Sequence, residues 1–240
     1  MAAAFQEVRI ARLGLFALVT LAFAAFGWAV RGVTRAGAFA GGIVCLALLA
    51  GAGWAGFAAL CTVFALTWAA THFGYARKQS LGTAEARSGR TAAQVIANLG
   101  IATLCAVALA LRRDPQLLLA LGAALAEAAA DTVSSEIGQA SGGVPRLVTR
   151  WIEAPPGTDG AVTVAGTMAG IGAALIVSAV FAFAAPLGGH GFIVCASAGI
   201  AGTFADSLLG ATLERRGVIG NNVVNFLSTL VAAGIAFSLR

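Results

Sequence analysis

The chain has 240 residues, of which 59% are hydrophobic and only 10% charged. That composition excludes an ordinary soluble domain, in which about a quarter of residues are charged. The net charge of +5 comes from bases in short gaps between apolar runs, which is the pattern of membrane topology rather than of a nucleic-acid footprint.

Apolar runs of roughly 17 to 25 residues suffice to cross a bilayer as helices, and their Ala and Leu richness argues against barrel strands. In chain order they predict about eight spans, near 13–30, 36–53, 54–74, 93–111, 116–137, 161–184, 191–213 and 222–239. The expected fold class is an all-α polytopic integral membrane helix bundle, a single transmembrane domain over 1–240. The first run follows Arg9 and Arg12 like a signal peptide, but further spans come almost at once, so it is read as a membrane helix. The second and third runs are nearly continuous. A tight hairpin around Gly51 and Gly53 gives eight spans, and a broken element over 36–74 gives seven. Cys45, Cys61, Cys105 and Cys195 all lie in apolar runs without a Cys-x-x-Cys pair, which speaks against a disulfide or a zinc site.

The bases sort by side. Arg31, Arg35, Arg77, Lys78, Arg87, Arg90, Arg146, Arg150, Arg215 and Arg216 occupy one set of alternate loops; Arg9, Arg12, Arg112, Arg113 and Arg240 lie on the other side. The ten-to-five excess predicts that the first set is cytoplasmic and both termini are outside. The N-terminal pair pulls mildly the other way. Loops 75–92, 138–160 and 214–221 then share the cytoplasmic side. The embedded polar residues Asp131, Glu136, Asp159, Asp206, Asn221, Asn222 and Asn225, with Gln94 and Asn98, fall at that same edge. The opposite edge offers little beyond Asp114, His190 and glycines. A membrane-embedded carboxylate is costly and marks a functional site by default.

Four constellations carry chemistry. In AEAAADTVSSEIG, Glu127, Asp131 and Ser135 are four apart and share a helical face, with Thr132 and Glu136 beside them. Such hard oxygen ligands suit Mg²⁺ held jointly with substrate phosphates, or else pair with bases as structural glue. In Gly157-Thr158-Asp159-Gly160, leading to Thr163, a glycine-flanked turn before a helix suits an anion; Asp159 is equally suited to be an N-cap. In the third, Thr203, Asp206 and Gly210 share a face, Ser207 follows, and Arg215 and Arg216 close the helix exit. The fourth holds Lys78, Arg90, Gln94 and Asn98, where cations could balance phosphate charge. His72 reads as an interfacial histidine. Most glycines read as small-residue helix contacts. Ala130-Asp131-Thr132 and Ala205-Asp206-Ser207 echo one another, too briefly to establish a repeat. No Ser-His-Asp grouping, His-Glu-x-x-His motif or Walker-type loop is present.

The ordered blocks KQSLGTAEARSGRTAAQVIAN, AADTVSSEIGQ, GTDGAVTVAGTMAG, ADSLLGATLERR and NNVVNFLSTL resemble those of the transmembrane-protein-19-like family, which includes phytyl-phosphate kinases of tocopherol synthesis. The resemblance implies a membrane kinase that converts an isoprenyl monophosphate (phytyl, farnesyl or geranylgeranyl) to the diphosphate, with a nucleoside triphosphate, CTP foremost, as donor and Mg²⁺ (or Mn²⁺) as metal. Asp131 and Glu136 match its acidic block, Asp159 its Gly-Thr-Asp-Gly block, Asp206 its Asp-Ser block, and Asn221, Asn222 and Asn225 its asparagine block. Glu214-Arg215-Arg216 departs from the family, where a glutamine is common.

On this reading Asp131, Glu136, Asp159 and Asp206 hold the metal, and Lys78 and Arg90 balance charge. Gln94, Asn98, Thr132, Ser135, Gly157, Thr158, Gly160, Thr163, Ser207 and the three asparagines bind substrate or nucleotide. The expected partners are a prenyl-phosphate lipid, a nucleoside triphosphate and membrane lipid, with no nucleic acid and with room for a homodimer. The expected location is a prokaryotic plasma membrane or a photosynthetic or organellar membrane, with the site on the cytoplasmic side. Cytidylyl transfer to a lipid phosphate and ion-coupled transport are the alternatives.

Overall fold

The computed structural model of the chain describes residues 2–239, with side chains from residue 11 onward. Arg240 and the side chain of Arg9, both used above to assign sides, lie outside the described residues. The helices are α1 (Ala2–Ala29), α2 (Arg35–His72), α3 (Tyr75–Ser80), α4 (Ala92–Arg112), α5 (Pro115–Ala140), α6 (Val164–Ala184), α7 (Gly188–Leu209) and α8 (Asn221–Ser238). Among the described residues seven of these are long and apolar enough to cross a membrane.

The longest, α2, is broken at Gly53, whose φ of 62° and ψ of −145° fall in a region that essentially only glycine occupies. Both ends of α2 lie at the same end of the bundle. Thr34 N–H donates to the Arg90 carbonyl at 2.9 Å, and Thr71 Oγ1 donates to Glu136 Oε1 at 3.2 Å. Arg90 and Glu136 line one and the same cavity. Each arm is about 27 Å long at 1.5 Å per residue, close to a hydrocarbon core. Among the described residues the chain thus runs the length of the bundle eight times, α2 as a hairpin pivoting on Gly53, and the N-terminus of α1 and the C-terminus of α8 fall at the far end.

Threonines fix the helix starts. Thr34, Thr91 and Thr163 each accept from a backbone N–H three residues on, Gln94 completing a capping box with Thr91. Asp114, followed by Pro115, caps α5 at the far end. The sixth span starts later than its apolar run suggests. Ala161–Val162 instead pairs antiparallel with Arg146–Leu147, a short ladder that buries Leu147 and folds the 141–163 loop back onto the bundle.

Helix α5 is the core of the bundle. Every residue from Leu119 to Ala130 is buried, because alanine and glycine let α6, α7 and α8 approach it closely. A Cβ at Gly170 of α6 would lie 2.8 Å from the Ala130 carbonyl oxygen, so no larger residue fits that crossing. Large apolar side chains such as Leu18, Phe39, Leu111, Val164 and Ile193 point outward and are exposed, as a lipid-facing surface requires.

Candidate functional site

One end of the bundle holds a polar cavity of about 400 Å³ walled by α4, α5, α7, α8 and the 83–91 and 156–163 segments. Asp131 and Asp206 both line it. The helix pairing explains this: α5 and α7 pack together, and each carries its acid near the cavity end. Asp206 Oδ2 is buried and has no hydrogen-bond partner. One turn deeper, Glu127 is 1% exposed, with Oε1 likewise unpartnered, while Ser228 Oγ donates to the Asn225 carbonyl at 3.0 Å.

The cation facing this cluster is Arg90, whose Nη1 donates to Thr132 Oγ1 at 3.3 Å. Two backbone bonds pin it, Thr34 N–H to Arg90 O at 2.9 Å and Arg90 N–H to Gly32 O at 3.0 Å. Gln94 lies beside it, its Nε2 donating to Glu85 Oε2 at 3.0 Å while Oε1 accepts from Thr91 N–H. Asn225 of α8 donates to Asn98 Oδ1 of α4 at 3.3 Å, joining the two helices at the cavity wall. Asn225 Oδ1 is left without a partner.

The 157–160 turn packs straight onto the end of α7. At Gly160, with φ at 69°, a Cβ would collide with the Ser207 carbonyl and the Ala211 amide. This contact brings Asp159 to the same cavity as Ser207 and Gly210. The N-cap of α6 is Thr163, so Asp159 is not a helix cap and its carboxylate is left exposed at the cavity mouth. After Leu209 the helix widens into a π-helical turn, Gly210–Glu214, a distortion common at functional sites. Glu214 is thereby added to the wall.

Most residues singled out in the sequence converge here: Asp131, Asp159, Asp206, Arg90, Gln94, Asn98, Thr132, Ser135, Glu136, Gly157, Thr158, Gly160, Thr163, Ser207, Asn221 and Asn225 all line the one cavity. Asn222 is exposed and lies off it. Lys78 requires a correction, because its side chain is fully buried and off the cavity. Its Nζ donates to Ala70 O at 3.0 Å, Thr71 O at 2.7 Å and Glu136 Oε2 at 2.5 Å. It therefore caps the end of α2 and braces Glu136 instead of facing a phosphate. Glu136 in turn has both oxygens engaged, by Lys78 and Thr71. Glu85 and Glu214 were not identified from the sequence as wall residues. A lone acid within the basic 77–90 stretch was the available signal for Glu85.

A divalent cation fits this donor set. Two facing carboxylates, an unpartnered buried Asp206 oxygen and an unpartnered Asn225 oxygen are hard ligands with a single cation, Arg90, beside them. Among the described residues no three His, Cys, Asp or Glu side chains form a ready-made cage. An ion there would therefore be completed by oxygens of its substrate, as Mg²⁺ commonly is.

Comparison with known proteins bears on the family. The chain is 36% identical over 194 residues to the uncharacterized membrane protein sll0875 of Synechocystis, covering 78% of this chain and 75% of that protein. It is 43% identical over 108 residues to the uncharacterized membrane protein MJ0933 of Methanocaldococcus jannaschii, covering 45% of this chain and 44% of that protein. It is 29% identical over 197 residues to the chloroplastic protein VTE6 of Arabidopsis thaliana, covering 78% of this chain and 59% of that protein. No solved structure matches the chain. The model of the family described as integral membrane protein DUF92 matches residues 18–233, and the chain belongs to that family, the transmembrane-protein-19-like integral membrane proteins.

Proposed function

We propose that the protein is a membrane kinase that transfers the γ-phosphoryl group of a nucleoside triphosphate, CTP by family resemblance, to an isoprenyl monophosphate. The observation that carries this reading is that Asp131 and Asp206 share a polar cavity at the membrane edge with Arg90 on its wall. Similarity to VTE6 and the family's inclusion of phytyl-phosphate kinases support the substrate class. The excess of bases at this end supports a cytoplasmic site.

The chemistry asks little of a general base. A phosphomonoester oxygen is already nucleophilic; it attacks the γ-phosphorus, the bond from that phosphorus to the β-bridging oxygen breaks, and prenyl diphosphate and nucleoside diphosphate leave. Catalysis is then positioning and charge stabilisation. Asp131, Asp206 and Asp159 would hold Mg²⁺, which when bound neutralises charge on the donor phosphates. Arg90 presents a forked cation suited to the oxygens of the acceptor phosphate. Asn98 and Asn225 supply neutral amide contacts, and the braced Glu136 fixes the wall of α5.

Cytidylyl transfer to the same lipid phosphate is the second reading, favoured by the same acids. Ion-coupled transport is less well supported: the polar residues of α5 run only as deep as Glu127, and at the far end Asp114 is spent accepting from Gln116 N–H at 2.9 Å. The test is to incubate purified protein with phytyl, farnesyl and geranylgeranyl monophosphates, each nucleoside triphosphate and Mg²⁺. Prenyl diphosphate with a nucleoside diphosphate supports the kinase; a nucleotide-linked lipid with free pyrophosphate replaces it with cytidylyl transfer.

A further inference from the structure

A second cavity of about 410 Å³ lies between α1, the two arms of α2 and the first turns of α4. Its character is opposite to the first. Phe23, Leu60, Val63, Phe64, Val95 and Leu99 give it an apolar wall, and Glu85, Arg90, Gln94 and Asn98 are among its polar groups. The Phe64 ring packs edge-on against Phe23 and Phe26, with centroids 5.7 and 6.0 Å apart. The two cavities adjoin, with Glu85, Arg90, Gln94, Asn98 and Thr132 forming part of both walls.

We propose that this apolar chamber is the site of the acceptor's isoprenoid chain, and that Arg90 at the junction marks where its phosphate enters the polar cavity. The assignment rests on the kinase reading for the identity of the head group. An amphiphile with an anionic head and a linear apolar tail needs two adjoining spaces of contrasting polarity with a cation at their boundary. Here an arginine pinned by two backbone hydrogen bonds occupies that boundary. The chamber sits toward the small end of the roughly 300–1,000 Å³ typical of small-molecule pockets, which suits a tail of a few isoprene units and not a long polyprenol.

The size limit is assigned to one residue. Gly41 of α2 lines the chamber, and a Cβ built there meets nothing within 4 Å. The space a side chain would fill is therefore left to the ligand. Gly32 at the other end contrasts, since a Cβ there would lie 2.7 Å from Phe64.

The test is binding without nucleotide. Trp68 lines the chamber, so geranylgeranyl phosphate should change its fluorescence, inorganic phosphate should not, and the response should vanish in Trp68→Phe. Gly41→Leu should weaken geranylgeranyl phosphate binding by about tenfold or more, the scale of a misfit in an apolar pocket, and leave the five-carbon dimethylallyl phosphate little changed. Gly41→Ala should give a smaller loss in the same order and serves if the leucine variant does not fold. Gly172→Leu, another open glycine but on α6, should change neither. Equal binding of the long-chain phosphate by the parent and both Gly41 variants would overturn the assignment. Because no phosphoryl transfer is read, chain-length-dependent binding without diphosphate formation would retain the tail site and reject the kinase. Diphosphate formation indifferent to Gly41 would do the reverse.

Discussion

Lys78 Nζ lies 2.5 Å from Glu136 Oε2, and the lysine side chain has no exposure at all. Removing one member of such a pair strands the other. Lys78→Met should destabilise the protein by about 3–5 kcal/mol, and Lys78→Met/Glu136→Met should recover much of that loss. Unfolding of the purified variants in detergent checks this; additive losses would mean the two residues are not coupled.

Asp131 and Asp206 should behave differently. Asp131→Asn or Asp206→Asn removes one of two facing carboxylates, so each variant should unfold no more easily than the parent while losing phosphoryl transfer altogether. Stability surrendered at a functional site is a common trade. A thermal melt alongside the activity assay separates the two effects, and full activity in either variant would remove that residue from the site. Nucleotide should raise the melting temperature only with Mg²⁺ present, and an equal rise in excess chelator would contradict the assigned metal role.

Gly160→Ala tests the seating of the 157–160 turn. The positive φ costs a non-glycine residue about 1–2 kcal/mol, and the added Cβ also collides with the Ser207 and Ala211 backbone. Activity should fall through a raised KM for nucleotide more than for lipid phosphate. Unaltered kinetics would show that Asp159 does not need this contact.

Arg90→Lys keeps the charge but loses the forked geometry, whereas Arg90→Met loses both. The KM for prenyl phosphate should rise in the order parent, lysine, methionine. The same KM in all three would place the acceptor phosphate elsewhere.

The span pattern and the convergence of Asp131, Asp159 and Asp206 were legible because topology alone puts alternate loops on one side, and because an acid in an apolar run stands out. Lys78 misled the sequence reading for a physical reason. A lysine in a short loop looks solvated, and only the return of α3 beneath the Ala70 and Thr71 carbonyls reveals it as a brace. Asp159 was equally suited to a cap until the Arg146–Leu147 ladder with Ala161–Val162 moved the N-cap to Thr163. The apolar chamber has no local signature, since its walls come from helices and loops far apart in the sequence.

The most direct measurement is transfer of a label from the γ-position of CTP to geranylgeranyl phosphate by the purified protein with Mg²⁺. The account predicts label in the terminal phosphate of geranylgeranyl diphosphate and none with Asp206→Asn. Folded parent protein that labels no prenyl diphosphate, from any donor nucleotide or prenyl chain length tried, would contradict it.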